Sequence, residues 1–255
     1  MQAHPSRLIA CLGALSVLYN PIGKGATMRA FISFGYALLA VGCSVSSNEP
    51  PVRPDPSDWN SQLGDQDPDV RFHARLALAR TGTAAIPHLI EDLRSTNSTT
   101  RFEAASALCV MKGTPRKEAV PALADALHDD DHATRVAVLE ALRSVGPDAA
   151  AAALDVQAAF GDEIVDVRRT AVFALAAIQG ANAVYVLTDA LEDPRTCWFA
   201  ADALGDLGPV ARPAVPALLL LESSRNPVTR RTAANALARI LKPARCHEDI
   251  RTISE

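Results

Sequence analysis

The stretch Val70-Arg71-Phe72-His73-Ala74-Arg75-Leu76-Ala77-Leu78 decides the fold, because the chain writes this phrase six times. The later copies are Thr100-Arg101…Ala104…Ala107-Leu108, Thr134-Arg135…Val138…Ala141-Leu142 and Val167-Arg168…Ala171…Ala174-Leu175, then Thr196-Cys197…Ala200…Ala203-Leu204 and Thr229-Arg230…Ala233…Ala236-Leu237. They recur every 29 to 34 residues. At such a period one unit cannot bury its own apolar face and must stack on its neighbours. With the Arg position as zero, the shared sites −1, +3, +6 and +7 fall on one side of a helix at 100° per residue. Small Ala at +3 and +6 lets that helix approach another backbone closely, and Leu at +7 fills the seam.

Working outward, Asp67, Asn97, Asp131, Asp193 and Asn226 stand four residues before the Arg position. These types cap a helix by accepting its first free backbone N–H groups. Pro68, Pro194 and Pro227 follow three of them, a placement suited to the first helical residue, whose N–H has no partner to lose. Gly82, Gly113, Gly146, Gly180 and Gly208 close the helices. A second helix precedes each cap, as in Ala85-Ile86-Pro87-His88-Leu89…Leu93, Ala119-Val120-Pro121-Ala122-Leu123…Leu127 and Ala214-Val215-Pro216-Ala217-Leu218. Its leucines lie four apart on one face. Leu63, Leu93, Leu127 and Phe160 each stand eight before the Arg position, whereas Leu191 is only six before Cys197. The fifth repeat is therefore expected to distort the stack locally.

Paired helices with Asp at the turn, Arg opening the second helix and an Ala-Leu core resemble HEAT repeats, most closely the short bacterial type named for phycobilisome-lyase HEAT-like repeats. The resemblance covers about residues 57–245. It implies an all-α fold, a right-handed α-solenoid of about six HEAT-like helix pairs. Solenoids of this kind serve many partners, so it narrows function little.

The front of the chain reads as an export segment, residues 1–43. It holds no Asp or Glu, so all 29 carboxylates lie in the remainder. Met28-Arg29 precedes an apolar run from Ala30 to Val41 and then Gly42-Cys43, the pattern of a secretory signal peptide. The run is shorter than the ~20 apolar residues a membrane-spanning helix needs. Ala40-Val41-Gly42-Cys43 resembles a bacterial lipobox, which implies lipidation at Cys43 and an exported lipoprotein anchored to a membrane on its periplasmic or outer side. Ordinary cleavage after Ala40-x-Gly42 gives the alternative, a soluble secreted or periplasmic protein. Residues 1–27 do not fit a signal peptide starting at Met28, which suggests Met28 as the true start; the run Leu8 to Tyr19 supports a rival reading as an N-terminal anchor. Residues 44–56 (SVSSNEPPVRPDP) form a disordered Ser/Pro tether, able to reach roughly 40 Å at ~3.1 Å per residue. Residues 246–255 are a C-terminal tail.

The net charge of −4 argues against nucleic acid as a partner, because neutralised phosphates supply most of that affinity. The cysteines after residue 43 (Cys109, Cys197, Cys246) are too few and too scattered for a disulfide framework. No Gly-x-Ser-x-Gly, His-Glu-x-x-His or phosphate-binding glycine loop occurs, so neither catalytic residues nor a cofactor are expected. His128-Asp129-Asp130-Asp131-His132 has metal-ligating types, but consecutive turn residues diverge, and a solvated turn is the stronger reading. Deoxyhypusine hydroxylases are HEAT-like enzymes that bind two irons through several His-Glu pairs; this chain has only His247-Glu248, in the tail.

The resemblance assigns the Arg series a structural role. Arg71, Arg101, Arg135, Arg168 and Arg230 would tie to aspartates of neighbouring turns, with Asp67, Asp131 and Asp193 as the partners. The face of the second helices opposite the core carries the functional expectation. Position +1 reads Phe72, Phe102, Val136, Arg169, Trp198 and Arg231, and +5 reads Leu76, Ser106, Glu140, Phe173, Asp202 and Asn235. In HEAT-like stacks this face lines the concave surface, and Trp, Phe and Arg there are the types that anchor partners. The reading is a non-catalytic interaction scaffold of the bacterial envelope. It binds a protein partner through Phe72, Phe102, Val136, Arg169, Phe173, Trp198 and Arg231, and meets a membrane through the lipid anchor only. The alternative is a cytosolic protein resembling the bilin lyases.

Overall fold

The computed structural model describes residues 56–111 and 116–242. The expected export segment with Cys43, the expected tether up to Asp55, Gly113 and the expected tail lie outside them. Every regular element among the described residues is helical, and the long helices come in six pairs. These are α1 (Pro56–Asn60) with α2 (Pro68–Thr81), α3 (Ile86–Asp92) with α4 (Ser98–Val110), and α5 (Val120–Asp125) with α6 (His132–Val145). Then come α7 (Ala153–Ala158) with α8 (Val165–Gln179), α9 (Ala183–Asp189) with α10 (Cys197–Leu207), and α11 (Val215–Leu221) with α12 (Pro227–Ile240). The first member of each pair is the A helix, and the second, the repeated phrase, is the B helix. The architecture is an α-solenoid.

Asp67, Asn97, Asp131 and Asn226 cap α2, α4, α6 and α12, each side chain accepting a first-turn N–H. Such a cap contributes about 1 kcal/mol. The fifth repeat departs from this. α10 begins at Cys197 with Thr196 in the cap slot, so Asp193 does not cap it and Pro194 lies outside the helix. Asp193 accepts instead from the N–H of Arg195, as Asp129 does from Asp131 and Asp162 from Ile164. Asp193 also stands two residues after Leu191, as Asp129 does after Leu127 and Asp162 after Phe160, so it is their counterpart, and the two missing residues fall after it, shortening the start of α10.

At the far end, α6 and α10 stop at Gly146 and Gly208, with φ of 70° and 65°, a conformation that a β-carbon strains. The chain then swings through a short 3₁₀ turn into the next A helix. Two runs, Val165–Asp189 and Cys197–Leu221, are long and apolar enough to cross a membrane by length and composition. Each is a B helix plus the following A helix, joined at a positive-φ glycine (Gly180, Gly208). Neither is one straight rod.

The core is a ribbon between the A and B layers. Position +3 is fully buried in all six repeats (Ala74, Ala104, Val138, Ala171, Ala200, Ala233), and the +7 leucines from Leu78 to Leu237 are buried with it. Leu89, Leu123, Val156, Leu187 and Leu218 meet them from the A helices, each large side chain contributing roughly 1.5–3 kcal/mol. Seen along a B helix, four sides separate. The +3 and +7 positions face the A layer. Positions −1 and +2 face the preceding repeat, as Thr229 beside Cys197 and Glu103 beside Arg75 show. Positions +4 and +8 face the following repeat, where a β-carbon on Gly205 would strike the Arg239 guanidinium. Positions +1 and +5 are left for the outside.

Candidate functional site

The arginine series is absorbed by the scaffold. In every repeat that has the Arg, its Nη1 donates to two carbonyls of its own A–B turn. Arg135 bonds Asp129 and Asp130 at 2.8 and 3.3 Å, and Arg71, Arg101, Arg168 and Arg230 do the same in their turns. The rest of the guanidinium reaches one repeat onward. Arg101 makes a two-pronged pair with Asp129, and Arg135 with Asp162 through Nε and Nη2 at 2.8 and 3.0 Å. The paired aspartates thus lie six before the Arg position, two residues ahead of the caps, and this corrects the expected partners. Asp67 and Asp131 spend their carboxylates on helix caps, and Asp193 is held by Arg195 at 3.0 Å. Where Ser95 occupies the ladder slot, Arg71 and Arg75 turn to Glu103 instead. Arg168 is buried, and its Nε finds no partner, a gap left by the shortened fifth repeat.

Electrostatics follow the geometry. Burial would raise the carboxyls of Asp129 and Asp162, but their arginine and backbone hydrogen bonds outweigh it and hold both below the usual range. Asp131 is lowered likewise, its burial outweighed by bonds from Thr134 and Ala133. The His-Asp-Asp-Asp-His run is accordingly divided between a ladder pair, a cap and exposed histidines. Among the described residues no three His, Cys, Asp or Glu side chains converge.

The outward face of the B helices behaves differently in its two halves. Phe72 is 46% exposed, set edge-on to His73 and under the Arg75 guanidinium at 5.3 Å. Phe102 and Val136 lean back on the core and are half-buried. From the fourth repeat onward the face opens into a cleft of about 290 Å³. Arg169, Trp198 and Arg231 line it from +1, and Phe173, Asp202 and Asn235 from +5. Trp198, 37% exposed, stacks on the buried Phe199 ring at 4.0 Å. Phe199, Val228 and Thr232 also line the cleft. Sequence reasoning missed them, although the aromatic pair Trp198-Phe199 was a visible signal. Asp202 is bonded by Arg239, which also takes Asp206 at 2.7 Å. Arg169 pairs with the exposed Asp166 at 3.1 Å. Arg231 is exposed and has no carboxylate within salt-bridge distance among the described residues. The clefts along the A–B turns are built largely from ladder and turn residues such as Asp129 and Asp162.

A family model described as HEAT repeats matches residues 86–159 and 156–238, more than half of the chain. The chain belongs to the HEAT-repeat family. Solved structures with the same fold include YibA of Escherichia coli, 20% identical with a TM-score of 0.53 over 71% of this chain and 69% of that one. Kap95p, solved with RanGDP, is 12% identical with a TM-score of 0.51 over 76% of this chain and 32% of Kap95p. The CpcE–CpcF complex of phycocyanin lyase from Nostoc sp. PCC7120 is 24% identical, with a TM-score of 0.46 over 79% of this chain and 82% of that one. No curated protein sequence is significantly similar. As a HEAT-repeat protein the chain has the fold of a scaffold, and its ladder and core account for most of the repeated residues. The cleft of repeats four to six is the part they leave over.

Proposed function

We propose that this HEAT-repeat protein is a non-catalytic interaction scaffold of the bacterial envelope. It takes a protein partner on the outward face of its B helices, centred on the Trp198 cleft. One observation carries the reading: Trp198, Phe173, Arg169 and Arg231, from three successive B helices, share one open cleft, and of the four only Phe173 also packs on the core. A volume of about 290 Å³ lies at the lower edge of small-molecule pockets, roughly 300–1,000 Å³. It suits one or two anchoring side chains of a protein better than a chromophore. Aromatic and Arg residues at the centre of a patch are the usual anchors of such contacts. Phe72, Phe102 and Val136 extend the same face towards the first repeat as its periphery. Kap95p illustrates that this fold holds protein partners, and only the fold is carried over from it.

Lipidation at Cys43 would fix the scaffold to a membrane by its front end. The mass of the N-terminal peptide from native membranes tests that part: a diacylglycerol-modified Cys43 supports it and an uncleaved chain beginning at Met1 rejects it. For the face, a Trp198→Asp/Arg231→Glu variant should keep wild-type helicity and melting temperature while losing the partner in pull-downs. Tyr185→Asp, on the exposed surface of α9, should retain it. Full retention by the double variant would reject the cleft as the binding site.

A further inference from the structure

The two ends of the solenoid are unfinished in complementary ways. Terminal repeats ordinarily present a polar outer face; among the described residues the C-terminal end is apolar instead, and the N-terminal end is mixed. At the C-terminal end, position +4 is buried in repeats two to five (Ala105, Leu139, Val172, Ala201) but exposed as Ala234. On the A helix, Leu219 is 52% exposed at the position where Ile90, Ala124 and Thr188 are half-covered and the polar Gln157 is exposed. Leu241 continues the same exposed apolar surface. At the N-terminal end the opposite side is open among the described residues: Ala77, at +6, is only half-buried, whereas Ala107, Ala141, Ala174, Ala203 and Ala236 are buried, and beside it His73, at +2, is exposed.

The ladder ends in the same complementary fashion. Arg230 clips its own turn, as Arg101 and Arg135 do, but has no carboxylate among the described residues to reach. Asp65 fills the ladder slot of the first repeat and accepts the Asp67 N–H, as Asp129 and Asp162 accept theirs, yet no arginine side chain pairs with its carboxylate among the described residues. One end thus holds the donor half of a ladder rung and an apolar following face. The other holds the acceptor half and a mixed preceding face, with Ala77 half-buried and His73 exposed.

We infer that a second copy of this chain stacks head to tail on the first, its α1–α2 pair covering α11–α12 and its Asp65 receiving Arg230. The contact repeats the chemistry already used between repeats inside the molecule. Because the two surfaces differ, the interface is heterologous and leaves both outer ends free to add further copies. It is independent of the Trp198 cleft, which lies on the +1 and +5 side.

Sedimentation equilibrium of the full chain tests this with variants blocked at one end. Leu219→Arg/Ala234→Arg blocks the C-terminal face, and Asp65→Lys/Ala77→Lys the N-terminal face, with melting temperatures checked for both. Wild type should show an average mass that rises with concentration beyond a dimer, and each blocked variant alone should be monomeric. A one-to-one mixture of the two should stop at a dimer, because it holds one intact face of each kind. Arg230→Glu alone should weaken association about tenfold, the equivalent of roughly 1.4 kcal/mol, and the loss should shrink at high salt. A monomeric wild type, as expected if residues 243–255 cover this face, would overturn the inference. So would a mixture that stays monomeric, or a blocked variant that still assembles alone.

Discussion

Removing Arg135 tests the ladder as the element that joins repeat to repeat. Its guanidinium makes four hydrogen bonds: two to carbonyls of its own turn, at 2.8 and 3.3 Å, and two to Asp162, at 2.8 and 3.0 Å. The side chains of Arg135 and Asp162 are only 11% and 13% exposed. Exposed pairs are worth about 0–1 kcal/mol, whereas stripping one partner from a buried pair costs about 3–5 kcal/mol. Shielding this nearly complete places Arg135→Ala at about 3 kcal/mol, the lower end of the buried range. Arg230 provides the internal reference, since it makes the same two turn bonds, at 2.8 and 3.2 Å, without a carboxylate partner among the described residues. Arg230→Ala should cost about 1 kcal/mol. The difference of about 2 kcal/mol isolates the rung. Urea denaturation followed by far-ultraviolet circular dichroism, with slopes compared to check cooperativity, measures both. Equal losses for the two variants would refute the reasoning, because the carboxylate pair would then contribute nothing.

Other predictions concern acid, one carboxyl and one turn. Asp129, Asp131 and Asp162 have depressed folded values, so their stabilisation is complete above about pH 4 and is lost as pH falls below it; a melting temperature that stayed level from pH 5 to pH 3 would contradict this. Asp92 goes the other way: burial, aided by Glu91 and opposed by His88, pushes it up to about 6, and its Oδ2 has no hydrogen-bond partner. The folded state then binds the proton more tightly than the unfolded one, so stability declines as pH rises from about 4 to about 6. Asp92→Asn should accordingly stabilise the protein at pH 7 by about 1 kcal/mol, discounted for partial exposure, with little gain at pH 4; a loss of stability at pH 7 would count against it. Gly146→Ala places a β-carbon at φ 70° with nothing within 4 Å to hit, so only backbone strain is added. Because φ 70° with ψ −138° lies outside the left-handed helical well, a cost of about 1–3 kcal/mol and a lowered melting temperature are expected, and an unchanged melt would remove the strain argument.

The fold was legible because the same positions are repeated: Ala74, Ala104, Val138, Ala171, Ala200 and Ala233 agree on one buried side, which no single copy establishes. The ladder was read one slot too late. Asp67 and Asp131 are such apt caps that the residues two before them, Asp65 and Asp129, were passed over, though both kinds of aspartate accept a backbone N–H. Aligning repeats on Leu127-x-Asp129 and Leu191-x-Asp193 rather than on the Arg would have exposed the true register of the fifth repeat. For the outward face, the +1 and +5 pattern named Arg169, Phe173, Trp198 and Arg231 correctly as neighbours. It did not show that Phe102, Val136 and Phe173 pack against the core while Arg169, Trp198 and Arg231 stay exposed. That distinction depends on packing between repeats, which no single helix writes.

The central claim is that a protein partner seats on the Trp198 cleft. A photo-crosslinking amino acid placed at position 198 in the native host, with position 185 on α9 as the control, reads it directly by mass spectrometry of the adducts. The account predicts one protein adduct from position 198, suppressed by Arg231→Glu, and none of that mass from position 185. Adducts from position 185 alone would contradict it and move binding to the A-helix side.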